Sequence, residues 1–414
     1  MTTLQPVRGT HDLLPDEMRR HRRVVDTARE VAERYGYLEI ETPIFEFSEV
    51  FQRTLGDTSD IVTKEMYSFT DRGGERLTLR PEGTAGVARA FISAGLAQHL
   101  PLKFFYQGPM FRYERPQKGR LRQFHQIGIE LLGVAAPAGD IEVIAAGYAI
   151  LVALGLADRI LLEINSLGDA ASRQAYRTAL VRYFEAHRDR LSADSRERLE
   201  RNPLRILDSK DEGDRRLIAE APLFGDFLTA ESRDFFAAVT GGLDELRIPY
   251  RINPRLVRGL DYYCHTAFEF VTDALGAQGT VMAGGRYDGL IEAMGGPATP
   301  GVGWASGIER LAMMLGEAPP ARRPIAVVPV GEAAERPALK LAENLRARGF
   351  VIELGYGGNL AKRLKRANRL NASVALLLGE DEIKRGVVTL RDLDSGSQEA
   401  VALDALKDRL ARHR

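Results

Sequence analysis

The spacing of apolar and polar residues divides the first part of the chain into helix and sheet. From Pro15 to Arg34 apolar residues recur at helical spacing among charges, and Gly36 follows, which predicts one amphipathic helix. A further helix is predicted from about residue 86 to 95. Turn residues between the alternating segments favour antiparallel sheet, and Pro43 suits an edge strand. These segments are YLEIETPIFEF, EMYSFTD, RLTLRPE, LKFFYQGPMFRYE and LRQFHQIGIELLG.

A charged, alanine-rich helical pattern then interrupts the sheet between about residues 172 and 246. Extended patterns return in RINPRLVRGLDYY and HTAFEFVTD, and a glycine-rich tract ending in a helix follows them. Because strands are predicted on both sides of the helical block, we expect one antiparallel sheet interrupted by a helical insertion.

The last quarter of the chain has a different pattern. Short apolar strands alternate with helices from residue 325 to 414, which predicts a small α/β domain with a mostly parallel sheet. The stretch GEAPPARRP before it has the composition of a linker. We therefore expect a first domain over residues 1–318, a linker over 319–324 and a second domain over 325–414.

Composition narrows the class of protein. The chain has 414 residues, long enough for two or more domains, and 44% of them are hydrophobic. No segment approaches the ~18 apolar residues that a membrane span needs, and the N-terminus lacks the pattern of a secretory signal, so a cytoplasmic protein is expected. Cys264 is the only cysteine, which excludes an intramolecular disulfide and a cysteine-based zinc cage.

Net charge is zero, so any case for nucleic acid depends on local patches. Three basic stretches exist: MRRHRR, RPQKGRLRQ and KRLKRANR. A solvated helix face is the plainer interpretation of each, and is favoured for the first.

The hairpin loop RYERPQKGR is the most informative local feature. It carries more cations than a core could bury cheaply, so we expect it to face a nucleotide triphosphate or an RNA backbone, with a structural ion-pair network as the alternative. Arg112 follows an apolar strand and is the best phosphate candidate. The charged residues of the loop are Arg112, Glu114, Arg115, Lys118, Arg120 and Arg122.

Other candidate sites are less specific. The chain has neither a P-loop nor a dinucleotide-binding fingerprint. GGRYDGL and GVGWASGIER, with Arg310, suit either close approach to a ligand or tight sheet-to-helix packing. In LVRGLDYY an internal pair between Arg258 and Asp261 is an open alternative to a functional role. His125 and His265 lie in strand-like segments and are interpreted as ordinary polar residues, since no group has convincing metal spacing.

Together these segments resemble the class II aminoacyl-tRNA synthetases, and within them the histidyl-tRNA synthetases, over essentially the whole chain. RGTHDLLP, the helix after it and ETPIFE resemble motif 1, which lies at the dimer interface in relatives. FRYERPQKGRLRQFHQIGIE resembles motif 2, and GVGWASGIERL resembles motif 3. RPEGTAG also matches, and LVRGLDYY and GGRYDGL are similar to two histidine-specific segments. The resemblance implies an α+β catalytic domain built on an antiparallel sheet with a helical insertion, plus a C-terminal α/β anticodon-binding domain.

The resemblance also implies roles for residues around ATP. Arg112 would contact the α-phosphate, and Phe124 would stack on adenine. Arg120 and Arg310 would hold the β and γ phosphates, with Glu114 in the same ATP-binding set. Arg258 would face the α-phosphate from the opposite side and would be catalytic together with Arg112.

A second set of residues would bind L-histidine. By resemblance, Glu82, Thr84 and Gln126 hold its amino and carboxylate groups, with Arg258 beside them. The imidazole pocket would consist of Glu130, Tyr262, Tyr263 and Tyr287. A buried carboxylate that accepts an imidazole N–H would explain selectivity for histidine.

The implied partners are L-histidine, tRNA(His), ATP with Mg²⁺ and a second copy of the chain, with no membrane. No dedicated metal-ligand set is expected. The implied reaction forms histidyl-adenylate and diphosphate, then charges the 3′ end of the tRNA. One alternative is a non-catalytic paralogue that regulates ATP phosphoribosyltransferase, although such proteins generally lack the C-terminal domain. A class II synthetase for another amino acid is a second alternative, disfavoured by the two histidine-specific segments.

Overall fold

The computed structural model describes residues 3–55, 61–117, 119–257, 262–276 and 279–413. The chain divides into two compact units, Met1–Pro319 and Pro320–Arg414, each with its own hydrophobic core. The division falls in the proline-rich stretch that has the composition of a linker. None of the described helices is both long and apolar enough to cross a membrane.

The first unit contains a large sheet, a small sheet and helices around them. Its α-helices in the described residues are α1 (Pro15–Arg34), α2 (Ser48–Leu55), α3 (Thr84–Ser93), α4 (Pro137–Ala153), α5 (Ala170–Glu185), α6 (Ala193–Arg201), α7 (Glu212–Glu220), α8 (Ala230–Glu245), α9 (Leu290–Ala293) and α10 (Ile308–Leu315). Its strands are β1 (Leu38–Glu39), β2 (Phe45–Phe47), β3 (Tyr67–Thr70), β4 (Arg76–Leu79), β5 (Leu102–Phe111), β6 (Gln123–Leu132), β7 (Leu161–Ser166), β8 (Tyr250–Ile252), β9 (Cys264–Val271), β10 (Thr280–Arg286) and β11 (Gly301–Gly307).

Strand order in the large sheet is β1-β5-β6-β11-β10-β9-β7-β8, and β2-β4-β3 form the small sheet. Neighbours from β5 to β7 in this order are antiparallel, as predicted. The two edge strands differ, because β1 runs parallel to β5 and β8 runs parallel to β7. Parallel neighbours need a long crossover connection, which the helices α5–α8 supply between β7 and β8.

Successive side chains of β6 point to opposite faces of the sheet, and one of these faces packs into the main core. Ile127, Ile129 and Leu131 join the main core, to which α1, α4 and α10 also contribute. Trp304 on the neighbouring β11 is nearly fully buried in that core and donates its indole N–H to the Val143 carbonyl at 3.0 Å. The side chains between these positions are left to face the other way.

Helix α1 has the predicted bounds, but its basic stretch is not simply a solvated face. His21 is 6% exposed and lies on the buried side of the helix. Arg19 and Arg20 donate to the carbonyls of Pro319 and Gly316, at 2.8 and 3.0 Å. The solvated-face interpretation of residues 18–23 is therefore wrong for these three side chains, because α1 packs against the core along this turn.

The helical block has capping residues at each of its helices. Asp169, Ser192, Asp211 and Thr229 accept hydrogen bonds from backbone N–H groups in the first turns of α5, α6, α7 and α8. Buried residues such as Tyr176 give the block a core. It begins and ends within a few residues of the range expected for the insertion.

The strand predicted through RINPRLVRGLDYY is shorter than expected. Among the residues that the structure describes in this segment, only Tyr250–Ile252 is strand before Cys264–Val271, and residues 253–257 and 262–263 are irregular. Pro254 explains the early end, since proline has no N–H to donate to a sheet. Arg258 and Asp261, with the proposed pair between them, lie outside the described residues.

The second unit is an α/β domain with a mixed sheet in the order β13-β12-β14-β15-β16. Strands β12–β14 are parallel, but β14–β15 and β15–β16 are antiparallel. The expectation of a mostly parallel sheet is therefore wrong for half of it, because residues 379–386 and the turn after Asp392 are too short for crossovers. Its elements are β12 (Ile325–Pro329), α11 (Glu335–Arg346), β13 (Ile352–Leu354), α12 (Leu360–Arg369), β14 (Val374–Leu378), α13 (Glu380–Arg385), β15 (Val387–Asp392), β16 (Gln398–Ala402) and α14 (Leu406–Arg409).

Candidate active site

A cleft in the first unit gathers most of the predicted site residues. Its space, open solvent at the mouth included, is about 940 Å³. The predicted residues that line it are Glu82, Thr84, Arg112, Glu114, Arg120, Phe124, Gln126, Tyr262, Tyr263 and Arg310. Residues more than two hundred positions apart in the sequence, such as Glu82 and Arg310, thus line one cleft in the folded chain.

A hydrogen-bonded network forms the floor of the cleft. Glu82 accepts from the backbone N–H groups of Thr84 and Ala85 at 2.7 and 2.8 Å, which caps the start of α3. The Thr84 hydroxyl donates to Glu130 at 2.6 Å, and the Tyr287 hydroxyl donates to the other oxygen of Glu130 at 2.5 Å. Glu130 and Tyr287 therefore lie directly behind the residues that line the cleft.

Burial dominates the electrostatics of the floor. It raises the pKa of Glu130 to about 8, although hydrogen bonds from Thr84 and Tyr287 act in the opposite direction. Burial also raises the pKa of Glu82, against two backbone hydrogen bonds and the charge of Arg112. A cationic or N–H-bearing ligand that hydrogen-bonds to either carboxylate would stabilise its charged form and lower the raised pKa.

Glycines allow the floor to pack this closely. A Cβ on Gly303, which pairs with Glu130 across β11 and β6, would lie 1.9 Å from a Glu130 carboxylate oxygen. Cβ atoms on Gly83 and Gly128 would lie 2.2 and 2.3 Å from the ring of Tyr106. The three glycines thus leave room for the carboxylate of Glu130 and the ring of Tyr106.

Tyr106 packs against the floor of the cleft and was not among the residues predicted from the sequence. Its hydroxyl and the side-chain carbonyl oxygen of Gln126 are buried without a hydrogen-bond partner among the described residues. Buried polar groups are normally paired, so both atoms are suited to a polar ligand. The sequence offered one signal for Tyr106, namely its position on the strand β5 that leads directly to Arg112.

Cations lie along the other part of the cleft. The Arg112 guanidinium donates to the Pro81 carbonyl at 2.9 Å and lies 5.3 Å from the centre of the Phe124 ring. Glu114 accepts from Arg120 at 2.5 Å. The predicted ion-pair network is therefore present in this loop, but it neutralises only part of the cluster.

Arg310 completes the cluster from the first turn of α10. It donates to the carbonyls of Gly119 and Thr280, which aligns it with the hairpin loop. Burial lowers its pKa, and repulsion from Arg120 and Arg112 acts in the same direction. Three guanidinium groups that repel one another in a cleft are stabilised by a bound polyanion.

The N-terminal segment supports the hairpin loop. The Arg122 N–H donates to the Gly9 carbonyl at 2.8 Å, and a Cβ on Gly9 would lie 2.8 Å from the Arg122 side chain. Gly9 also has a φ of +87°, which favours glycine. The Arg122 guanidinium lies 3.8 Å from the centre of the Tyr113 ring. The segment RGTHDLLP thus helps to position the cationic loop through the contacts of Gly9 with Arg122.

Three tyrosines close the side of the cleft near Glu130. The rings of Tyr262 and Tyr263 are 4.5 Å apart, and Tyr262 meets Tyr287 edge to face at 5.9 Å. Lys118 and Arg258, both predicted near phosphates, lie outside the described residues.

The carboxylates of the cleft do not form a metal cage by themselves. Glu82 caps a helix, Glu114 is paired with Arg120, and Glu309 accepts hydrogen bonds from His125. Mg²⁺ commonly combines one or two protein carboxylates with substrate phosphates. Glu114 fits that mode, as a group that would share an ion carried by a triphosphate.

The site thus combines a cationic region with a buried polar slot. The cations suit a polyphosphate, whereas Glu82, Gln126, Glu130 and Tyr106 suit a small molecule with both N–H groups and a carboxylate. Reaction between these ligands requires no covalent catalysis, because positioned cations can stabilise the charge that develops at phosphorus.

Comparisons with known proteins agree with this arrangement. A family profile described as histidyl-tRNA synthetase matches residues 9–311, and an anticodon binding domain profile matches residues 324–413. The chain is 65% identical over 413 residues to the histidine–tRNA ligase of Rhodospirillum rubrum, with 100% of both chains covered. It is 61% identical over 411 residues to that of Gluconacetobacter diazotrophicus, with 99% of both covered. Among solved structures, apo Staphylococcus aureus histidyl-tRNA synthetase has a TM-score of 0.83 at 36% identity, covering 98% of this chain and 99% of that one. The chain therefore belongs to the histidyl-tRNA synthetase family.

Proposed function

We propose that this enzyme activates L-histidine with ATP and transfers it to the 3′ end of tRNA(His). One observation carries the proposal: a cationic cluster and a buried carboxylate floor occupy a single cleft. Family membership and the full-length match to histidine–tRNA ligases support it.

Arg112, Arg120 and Arg310 bind the triphosphate, and the Phe124 ring packs against adenine. An oxygen of the histidine carboxylate attacks the α-phosphorus in line. A new P–O bond forms, the bond to the bridging oxygen breaks, and diphosphate leaves with the electron pair. The arginines stabilise the charge on the phosphoryl oxygens, and Arg258 supplies a further cation there by its resemblance to the family pattern. Mg²⁺ bound with ATP would neutralise part of the phosphate charge, and Glu114 would help to hold it.

Recognition of histidine depends on the floor. The amino and carboxylate groups lie against Glu82, Thr84 and Gln126, and the imidazole lies among Tyr262, Tyr263 and Tyr287. The charged carboxylate of Glu130 accepts a hydrogen bond from the imidazole N–H. An amino acid without that N–H loses this hydrogen bond to a buried carboxylate, which costs about 1–3 kcal/mol or more.

In the second step the terminal tRNA hydroxyl attacks the carbonyl carbon of the adenylate. The ester bond forms, the C–O bond of the mixed anhydride breaks, and AMP leaves with the electron pair while the hydroxyl proton is released. The second unit binds the anticodon region through exposed cations of α12. In that helix Arg363 pairs with Glu335, and Arg366 pairs with Glu353. The exposed side chains of Lys362, Lys365 and Arg369 can contact phosphates. Such phosphate contacts orient the tRNA without specifying sequence.

The enzyme acts as a cytoplasmic homodimer. Support comes from apolar side chains exposed around the segment that resembles motif 1: Leu38, Ile44, Phe45, Phe47 and Phe69. In the small sheet, Phe47 and Phe69 both pair with Leu77, so they lie in one row. A contiguous exposed apolar row is typical of an interface.

ATP–diphosphate exchange with each of the twenty amino acids tests the proposal. We expect exchange with histidine alone, followed by charging of bacterial tRNA, and loss of exchange in Arg258→Ala. Glu75→Gln, on an exposed turn, is the matched control. Absence of exchange in the folded wild-type protein would favour the regulatory paralogue. Exchange driven by proline, threonine or glycine would instead reassign the substrate.

A further inference from the structure

The geometry points to a divalent transition-metal site formed by His21, His125 and Glu309, separate from the ATP-borne Mg²⁺. One ligand atom from each residue lies within 4.8 Å of the other two. In the described part of the chain, no other group of three histidine, cysteine or acidic side chains converges in this way. Two imidazoles and one carboxylate, with a further position open, form a recurrent zinc-binding set.

The three ligands come from three different elements. His21 lies on α1, His125 on β6 and Glu309 in the first turn of α10. Glu309 accepts from the His125 backbone N–H at 2.9 Å and contacts its Nδ1 at 2.8 Å. The His21 and His125 rings meet edge to face at 5.5 Å between centres. Glu309 and His125 are therefore already held together, and His21 completes the set.

Only a small movement brings the ligands to metal-binding distance. Bonds of about 2.0–2.2 Å in a tetrahedral site place ligand atoms roughly 3.3 Å apart. The Nδ1–Oε1 separation of 2.8 Å is already near that spacing. No hydrogen bond fixes the His21 ring among the described residues, so rotation of its side chain can supply the rest.

The surroundings enclose the proposed ligands. His21 and Glu309 are 6% and 9% exposed, which limits competition from solvent. His11 and Glu17 line the same pocket as His21 and Glu309. Arg20 also lines it, but donates to the Gly316 carbonyl. A metal ion here ties α1, β6 and α10 together beneath the cationic cleft, and we expect it to stabilise the fold.

Metal binding to the full-length enzyme tests this inference. Protein stripped with a chelator is titrated with Zn²⁺ near pH 8, where imidazoles are neutral, in the absence of ATP and Mg²⁺. We expect one equivalent to bind to the wild type and to raise its unfolding temperature. In His21→Gln affinity falls by at least about 100-fold, whereas His99→Gln, on the exposed surface, binds as the wild type does.

Cobalt provides a measurement that does not depend on any variant. Wild-type protein loaded with Co²⁺ should show the intense visible absorption of a four- or five-coordinate nitrogen and oxygen site, and Zn²⁺ should displace it. Absence of stoichiometric binding in the wild type overturns the inference. Equal affinity in folded His21→Gln overturns it as well, because the ion then occupies another place.

Discussion

At the scale of single residues, the character of each carboxylate follows from what surrounds it. Glu114 is neutralised by Arg120, whereas Glu130 has hydroxyl groups and tyrosine rings around it and, among the described residues, no cation in contact. The same functional group is therefore an ion-pair partner in one part of the cleft and, in the proposed function, the acceptor of an imidazole N–H at its floor.

The raised pKa of Glu130 predicts an effect of pH on stability. Its folded pKa of about 8 exceeds the ordinary 4.5, so the folded chain retains a proton that the unfolded chain releases. The free energy of unfolding of the ligand-free enzyme should therefore fall as pH rises from about 4.5 to about 8, by at most ~1.4 kcal/mol per pH unit from this group.

Glu130→Gln should flatten this dependence, because glutamine does not titrate. Urea unfolding of wild type, Glu130→Gln and Glu75→Gln across that range checks the effect, and Glu75→Gln should follow the wild type. Parallel curves for all three proteins would contradict the assignment. The Gln variant should also raise KM for histidine, since an amide lacks the charge that Glu130 offers.

At the scale of elements, close contacts between helices set what each position tolerates. Helices α4 and α8 pack together, and a Cβ on Gly242 would lie 2.3 Å from the Ile141 side chain. A Cβ on the neighbouring Gly241 would meet no atom within 4 Å. Two adjacent glycines in one helix therefore serve different purposes, and only one of them is required by packing.

Alanine substitutions at these two positions should have opposite effects. Gly241→Ala should stabilise the protein by about 0.5–1 kcal/mol, because alanine favours helix and restricts the unfolded chain. Gly242→Ala should destabilise it by about 1 kcal/mol or more, since Ile141 must move in a packed interface. Urea unfolding of both variants checks the pair. Equal stabilisation would show that α4 adjusts freely.

Asp214 joins elements of the helical block. Its buried carboxylate accepts from the Ser192 N–H and hydroxyl and from the hydroxyls of Ser195 and Ser209, at 2.6 to 2.8 Å. Burial alone would raise its pKa, but these hydrogen bonds together hold it below its ordinary 3.8. The charged form is thus the stable one in the folded chain.

Stability from Asp214 should be complete above its unfolded pKa and be lost as pH falls through its lower folded value. At neutral pH, Asp214→Asn should cost about 1–3 kcal/mol, because an amide cannot accept all four bonds. The exposed Asp226→Asn is the control. Circular dichroism melts measure both, and an unchanged melting temperature for Asp214→Asn would refute the role.

At the scale of the whole molecule, the two units have separate cores. Residues such as Ile325 and Leu376 form the core of the second unit without any contribution from the first. The described residues of the proposed activation site all lie in the first unit, whereas the second unit carries the basic helix α12. A division of labour between activation and tRNA binding follows from this arrangement.

Deletion of residues 320–414 should therefore spare histidine-dependent diphosphate exchange. It should reduce kcat/KM for tRNA charging by at least about tenfold, because phosphate contacts of the second unit are lost. Exchange and charging are measured on the same preparation, with circular dichroism to verify folding. Charging at the wild-type rate would show that the second unit takes no part in tRNA binding.

The sequence by itself determined much about this protein. Periodicity placed α1, the central antiparallel strands and the second domain, and the motif segments identified the family and most residues of the cleft. These features are local, because amphipathic patterns and motif spacing are written along a continuous stretch of chain.

Only the tertiary structure decided which distant residues meet. Tyr106 fits between Gly83 and Gly128, and His21 reaches His125 and Glu309, because strands and helices remote in sequence pack side by side. The parallel edges of the large sheet and the mixed sheet of the second unit likewise depended on connections, which periodicity does not report. Local patterns specify elements, whereas contacts between elements arise from how their surfaces pack, and the pKa of Glu130 and the metal ligand set belong to those contacts.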